Sequence, residues 1–153
     1  MGEKLQHTIE NEQTIEGIGL HTGKPAKMTL KPAKAGSGII FQRTDLENEP
    51  LFKVIHRLAT ENHRGTNLMI DDECVYTIEH FLAACSGAGI DNLLVQLDGP
   101  EPPAGDGSPR PFFEKLLECG KTELKRPKNV FRVTEPCTYS DENGSITVLP
   151  CSE

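Results

Sequence analysis

Residues 91–98, DNLLVQLD, form a near-continuous apolar run of strand length between two helical patterns, and this arrangement constrains the fold more than any other stretch. Such a run suits the middle of a sheet, here with one face covered by both helices. Upstream, PAKMTLKP puts Ala26, Met28 and Leu30 on one face and Lys27, Thr29 and Lys31 on the other, the period of two of a half-buried strand. GIIFQR, LFKVI, TNLMI and ECVYTI are further short strand candidates, separated by Gly, Pro, Asn and Asp punctuation. A twisted, mainly antiparallel sheet with two helices is expected.

In TIEHFLAACSGAG, Thr77 serves as N-cap, Ile78, Leu82, Ala83, Cys85 and Ser86 form a compact apolar or small face, and Gly87 or Gly89 stops the helix. The second helix has Ser108 as N-cap and Pro109 at its first position, turns Phe112, Phe113, Leu116 and Leu117 toward a core, and ends at Gly120. KTELKRPKN, polar and broken by Pro127, then reads as an inter-domain linker. NVFRVTEPCTYS and SITVLP follow as two strands joined by the turn DENG. A hairpin of about 25 residues is marginal by itself. It either pairs with the first sheet or opens a second, incomplete lobe, and the second lobe is expected.

The 153 residues leave room for one ordinary domain or one domain plus a piece of another. A net charge of −7 and a pI near 5.3 provide no basic footprint, which argues against unaided binding to nucleic acid or to an anionic membrane. No apolar run approaches the roughly 18 residues of a membrane span. MGEKLQHTIE lacks the apolar stretch of a signal peptide, so a cytoplasmic location is expected. The cysteines, 74, 85, 119, 137 and 151, are odd in number and contain no C-x-x-C, so reduced, mostly structural thiols are expected rather than disulfides or a zinc ribbon.

The chemistry-bearing candidates begin with Glu79-His80, at the second and third positions after the Thr77 cap, where backbone N–H groups are free. A histidine can ligate zinc while a neighbouring carboxylate takes a proton from water, so the pair offers one ligand and one general base. As a bare dipeptide it reads first as a dipole-complementing carboxylate beside a packing histidine, and alone it is weak evidence for a metal site. A one-helix H-E-x-x-H site is ruled out, because the next ligand would fall at Ala84. His7, on an edge-like strand, and His56, followed by Arg57, suit solvated or structural roles. His21 lies in GIGLHTG, where Gly17, Gly19 and Gly23 permit a tight bend and close backbone approach to a ligand, or simply a surface turn. In DGPEPPAGDGS, Asp106 and Ser108 either touch a ligand or form an Asx-type turn that caps the second helix.

Taken in order, GIGLHTG (17–23), FQRTDL (41–46), TIEHFLAACSGAGIDNLLVQLDGPEPP (77–103) and DGSPRPF (106–112) resemble the zinc-dependent UDP-3-O-acyl-N-acetylglucosamine deacetylases of lipid A biosynthesis. The likeness runs from about Leu5 to the end of the chain. It implies an α+β fold: a two-layer sheet-and-helix sandwich lobe over residues 1–125, with residues 126–153 as the first strands of a second similar lobe. The family's active site lies in the cleft between two such lobes. By resemblance, His80 is the zinc ligand of the first lobe, Glu79 the general base that activates water at the metal, and His21 and Asp106 line the site around a UDP-linked acylated amino sugar substrate. The family draws its other two ligands from a second-lobe His-Lys-x-x-Asp and its general acid from a later histidine, but this sequence has no His-Lys and no histidine after His80. The 153 residues are therefore expected to be a catalytically incomplete fragment of a soluble protein with at most transient membrane contact. Ala104-Gly105 also departs from the apolar residues usual there. Two rival readings remain open: a non-catalytic binding or interaction domain on the same scaffold, and a nucleotide-phosphate enzyme on a related α+β scaffold, against which the missing phosphate loop weighs.

Overall fold

The computed structural model describes residues 4–55, 59–62 and 65–151, and the fold over them is α+β. The centre is a five-stranded sheet of β2 (Gln13–Ile18), β3 (Pro25–Pro32), β4 (Ile39–Arg43), β5 (Leu51–Lys53) and β9 (Leu93–Leu97), ordered β2-β3-β9-β4-β5. The apolar run 91–98 thus supplies the middle strand, antiparallel to β3 and parallel to β4. Every other pair in this sheet is antiparallel. Alternation decides which face is buried: Met28 and Leu30 of β3, Phe41 of β4 and Leu93, Val95 and Leu97 of β9 are sealed from water, while Lys27 is exposed.

Two short helices, α1 (Glu79–Ala88) and α2 (Arg110–Glu118), join the same apolar cluster. Phe81 of α1 lies edge-on between Phe41 of the sheet (centroids 5.8 Å apart) and Phe112 of α2 (5.5 Å), so one ring ties three elements together. The buried face of α1 is Phe81, Ala84, Cys85 and Ala88; Ile78 and Cys85 are buried as expected, but the face is turned by about one residue, roughly 100°, from the expected Leu82, Ala83 and Ser86. Docking Phe81 into the aromatic stack sets that rotation and turns Ala83 and Ser86 to solvent. Gly89 ends the helix in the left-handed conformation (φ 70°), and its N–H returns to the last-turn carbonyls. In α2, Phe112 and Leu116 are buried, but Leu117 is exposed.

There are three smaller sheets among the described residues: β6 (Ala59–Asn62), β7 (Gly65–Ile70) and β8 (Glu73–Val75) form one, β1 (Leu5–Ile9) and β10 (Lys121–Pro127) a second, and β11 (Cys137–Ser140) with β12 (Ser145–Val148) a third. Segment 121–127 is therefore a strand and not the linker its composition suggested. Its side chains stay largely in water while its backbone pairs with β1, so no apolar pattern marks it. The β11–β12 hairpin turns where DENG was expected, with the Asp141 carboxylate accepting from the N–H groups of Asn143 (2.8 Å) and Gly144 (3.0 Å). Cys137, Tyr139, Ile146 and Val148 share one face of the hairpin, and all four stand in solvent.

The FQRTDL segment is a brace. Arg43 is buried, forks onto both oxygens of Asp45 at 2.7 Å, and donates to the Cys74 carbonyl of β8, joining β4 to the smaller sheet. Cys85 and Cys119 are buried free thiols, and burial pushes the Cys85 thiol up to about 12. No helix among the described residues is long and apolar enough to cross a membrane.

Candidate functional site

Three backbone segments converge at the start of α1: the glycine-rich loop after β2, the stretch entering α1, and the turn after β9. Tyr76 N–H bonds to the Pro100 carbonyl (2.7 Å), Ala104 N–H to the Ile18 carbonyl (2.8 Å), and Gly19 bridges to Pro103. On the other side, Thr77 N–H bonds to Asn67 Oδ1 (3.0 Å) and Ile78 N–H to the Thr66 carbonyl (3.1 Å), fixing the helix start against β7.

Glu79 and His80 are the first two residues of α1, one position earlier than a Thr77 cap would place them. Thr77 takes φ +55° and does not cap the helix; its hydroxyl instead bonds to Glu101 (3.0 Å). The Glu79 Oε2 accepts from Thr66 N–H (2.9 Å), and its Oε1 stands 3.9 Å from His80 Nδ1. Both side chains are about one-third exposed, at 33% and 35%. The pair is thus an anchored carboxylate beside an imidazole that water can reach. Leu20, Thr77, His80, Pro103, Gly107 and Phe112 line a small cavity, which brings the neighbours of His21 and Asp106 up to His80.

His21 is exposed at the tip of the glycine-rich loop. Asp106 Oδ1 accepts from Ser108 N–H (2.9 Å) and Ser108 Oγ (2.7 Å), and those bonds hold its exposed carboxyl below the usual range. Ser108 Oγ in turn accepts from Arg110 N–H (3.2 Å), so this segment forms the Asx-type turn that its sequence offered, while α2 starts at Arg110 with Pro109 rather than Ser108 at the cap position. His7 lies away from these groups, beside Asp91 just before β9; its backbone N–H donates to the Asp91 carboxylate (2.8 Å), which fits a structural role. His56 and His63 lie outside the described residues.

Sequence reasoning missed Glu101. Its side chain is only 2% exposed, yet it carries a carboxylate whose oxygens accept from the N–H groups of His21 (3.0 and 3.1 Å) and Thr22 (3.0 Å). Burial raises this carboxyl, but the hydrogen bonds from His21, Thr22 and Thr77 outweigh burial and hold it below the ordinary carboxylate value. The available signal was a lone Glu among prolines in DGPEPP, facing a loop whose glycines leave room for it. A Cβ on Gly19 would collide with Thr22 Oγ1 and stand 2.5 Å from Glu101 Oε2.

A metal fits this arrangement in part. His80 offers a solvent-reachable ring nitrogen with a fixed carboxylate beside it, but among the described residues no three His, Cys, Asp or Glu side chains come together to hold an ion. The chain can supply one ligand and one base, and a closed site needs further donors.

These features define an α+β protein with a histidine–carboxylate pair at a helix start, framed by a glycine-rich loop and a D-G-S turn. Residues 6–153 match the family model described as LpxC: UDP-3-O-acyl N-acetylglycosamine deacetylase, and the chain belongs to that family. It is 41% identical over 146 residues to the UDP-3-O-acyl-N-acetylglucosamine deacetylase of Bdellovibrio bacteriovorus, covering 95% of this chain and 48% of that protein. It is 41% identical over 144 residues to the bifunctional enzyme LpxC/FabZ of Chlorobaculum tepidum, covering 94% of this chain and 31% of that protein. The UDP-3-O-acyl-N-acetylglucosamine deacetylase of Chlamydia abortus is 33% identical over 153 residues, 100% of this chain and 54% of that protein. The chain therefore spans about half the length of most of the curated relatives it matches.

Proposed function

We propose that this chain forms one wall of the active site of a zinc-dependent deacetylase acting in the cytoplasm on a UDP-linked, acylated N-acetylglucosamine in lipid A biosynthesis. The observation that carries this reading is the anchored Glu79 beside the accessible His80, at the meeting point of the His21 loop and the Asp106 turn. The names of the relatives supply the substrate class.

In this reading His80 holds zinc, and a second lobe beginning after β10 provides the remaining ligands and the proton donor. Bound there, zinc would supply Lewis-acid chemistry, polarising the acetamide carbonyl and lowering the pKa of water toward about 7. Glu79 takes the proton from the attacking water. Its Thr66 N–H bond holds one carboxylate oxygen and leaves the other on the His80 side, so the base is oriented before substrate arrives. His21 and Asp106 border the substrate. The hairpin's uncovered apolar face (Tyr139 67% exposed, Ile146 70%) supports a covering lobe, because apolar faces of this kind are normally packed.

Acetate release from the nucleotide sugar tests the proposal. Residues 1–153 alone are expected to bind zinc weakly and to show no turnover, whereas a zinc-loaded polypeptide that includes the second lobe deacetylates the substrate. Turnover by residues 1–153 alone would overturn the shared site, and none from the longer zinc-loaded protein would overturn the deacetylase reading.

A further inference from the structure

We propose that Glu101 is a positioning residue, a clasp that ties the His21 loop to the entry of α1 and so fixes the place of His21 relative to Glu79 and His80. Its consequence for catalysis rests on the deacetylase reading above; the clasp itself does not.

Burying a carboxylate is costly unless its oxygens are satisfied. Glu101 satisfies them with two backbone amides and one hydroxyl, drawn from segments far away in the chain: His21 is 80 residues distant and Thr77 is 24. The two amides belong to His21 itself and its neighbour Thr22. The hydroxyl belongs to Thr77, two residues before Glu79. One side chain therefore holds both walls of the cavity that His80 lines.

Two further features fit this role. Thr77 adopts φ +55°, a region that β-branched residues rarely occupy, and its N–H is fixed by Asn67 Oδ1 (3.0 Å), so the hydroxyl is aimed at Glu101 from a constrained backbone. Gly19 provides the space in which the carboxylate approaches the loop. The clasp needs an acceptor at both oxygens, and glutamine, of the same size, would turn an N–H₂ donor toward one of the N–H groups.

The test is Glu101→Gln in the full-length, zinc-loaded protein, read in two ways. Backbone amide chemical shifts of His21 and Thr22 are expected to move while that of Val95, in the middle of the sheet, stays in place. In kinetics, Glu101→Gln is expected to lower kcat/KM about 10- to 100-fold, because small misplacements of positioned groups cost rates of that order. In a His21→Ala background the same change is expected to cost less than about twofold, since a residue acting through His21 has nothing left to position. Unmoved amides would overturn the clasp. Equal losses in both backgrounds would show that Glu101 does not act through His21 and would overturn its positioning role. If wild-type protein has no deacetylase activity, the proposed function fails while the amide shifts still decide the clasp. Should Glu101→Gln fail to fold, Thr77→Val removes the third partner with little change of shape, and shifts at His21 and Thr22 support the clasp where their absence contradicts it.

Discussion

Glu79→Gln is expected to lower deacetylase turnover by about 10²- to 10⁴-fold, the range associated with removing a positioned general base. The variant keeps the size of the side chain, and its carbonyl oxygen can still accept the Thr66 N–H (2.9 Å in the native arrangement), so the start of α1 stays docked on β7. What disappears is the capacity to take a proton on the oxygen facing His80. Steady-state kinetics with the full-length protein should therefore show the loss mainly in kcat, with KM little changed. A variant with near-native kcat would remove Glu79 from the role of base.

Phe81→Ala is expected to destabilise the fold by about 3–5 kcal/mol, measurable as a lower denaturation midpoint. Phe81 is fully buried, and its ring is edge-on to both Phe41 and Phe112. Truncation opens a cavity where the sheet, α1 and α2 meet, and removes two aromatic contacts worth about 0.5–1.5 kcal/mol each beyond area burial. Because α1 carries Glu79 and His80 at its start, the same change should loosen the site. A loss below about 1 kcal/mol, the scale of an ordinary substitution, would mean that the core does not depend on this ring.

The elements that were legible in the sequence are those whose side chains face two different media. Ala26, Met28 and Leu30 alternate with Lys27, Thr29 and Lys31 because β3 has one dry face and one wetter one, and the run 93–97 reads as apolar because β9 lies between β3 and β4. β10 was illegible for the opposite reason: its backbone pairs with β1 while its side chains meet water, so KTELKRP carries no pattern. The rotation of α1 depended on Phe41 and Phe112, one forty residues before Phe81 and the other thirty-one after it, which no local window contains.

The candidate site divides along the same line. Glu79 and His80 were visible as residue types in a helix-start context, and the fold brings them together with the segments bearing His21 and Asp106. Thr before an apolar run is the ordinary capping signature, but α1 starts at Glu79 with Ile78 at the cap position, and Thr77, at φ +55°, stands one residue outside it and donates its hydroxyl to the buried Glu101 carboxylate. Glu101 itself depends on contacts across 80 residues, and its charge among prolines resembles a surface turn until the three segments are seen to meet.

Zinc content decides whether the His80 imidazole holds the metal while Glu79 handles the proton. Full-length wild-type, His80→Ala and Glu79→Gln proteins, purified without chelator and assayed for bound metal, should separate cleanly: His80→Ala loses zinc, and Glu79→Gln retains the wild-type content while its turnover falls. Undiminished zinc in His80→Ala, or none in the wild-type protein, would remove His80 from the role of metal ligand.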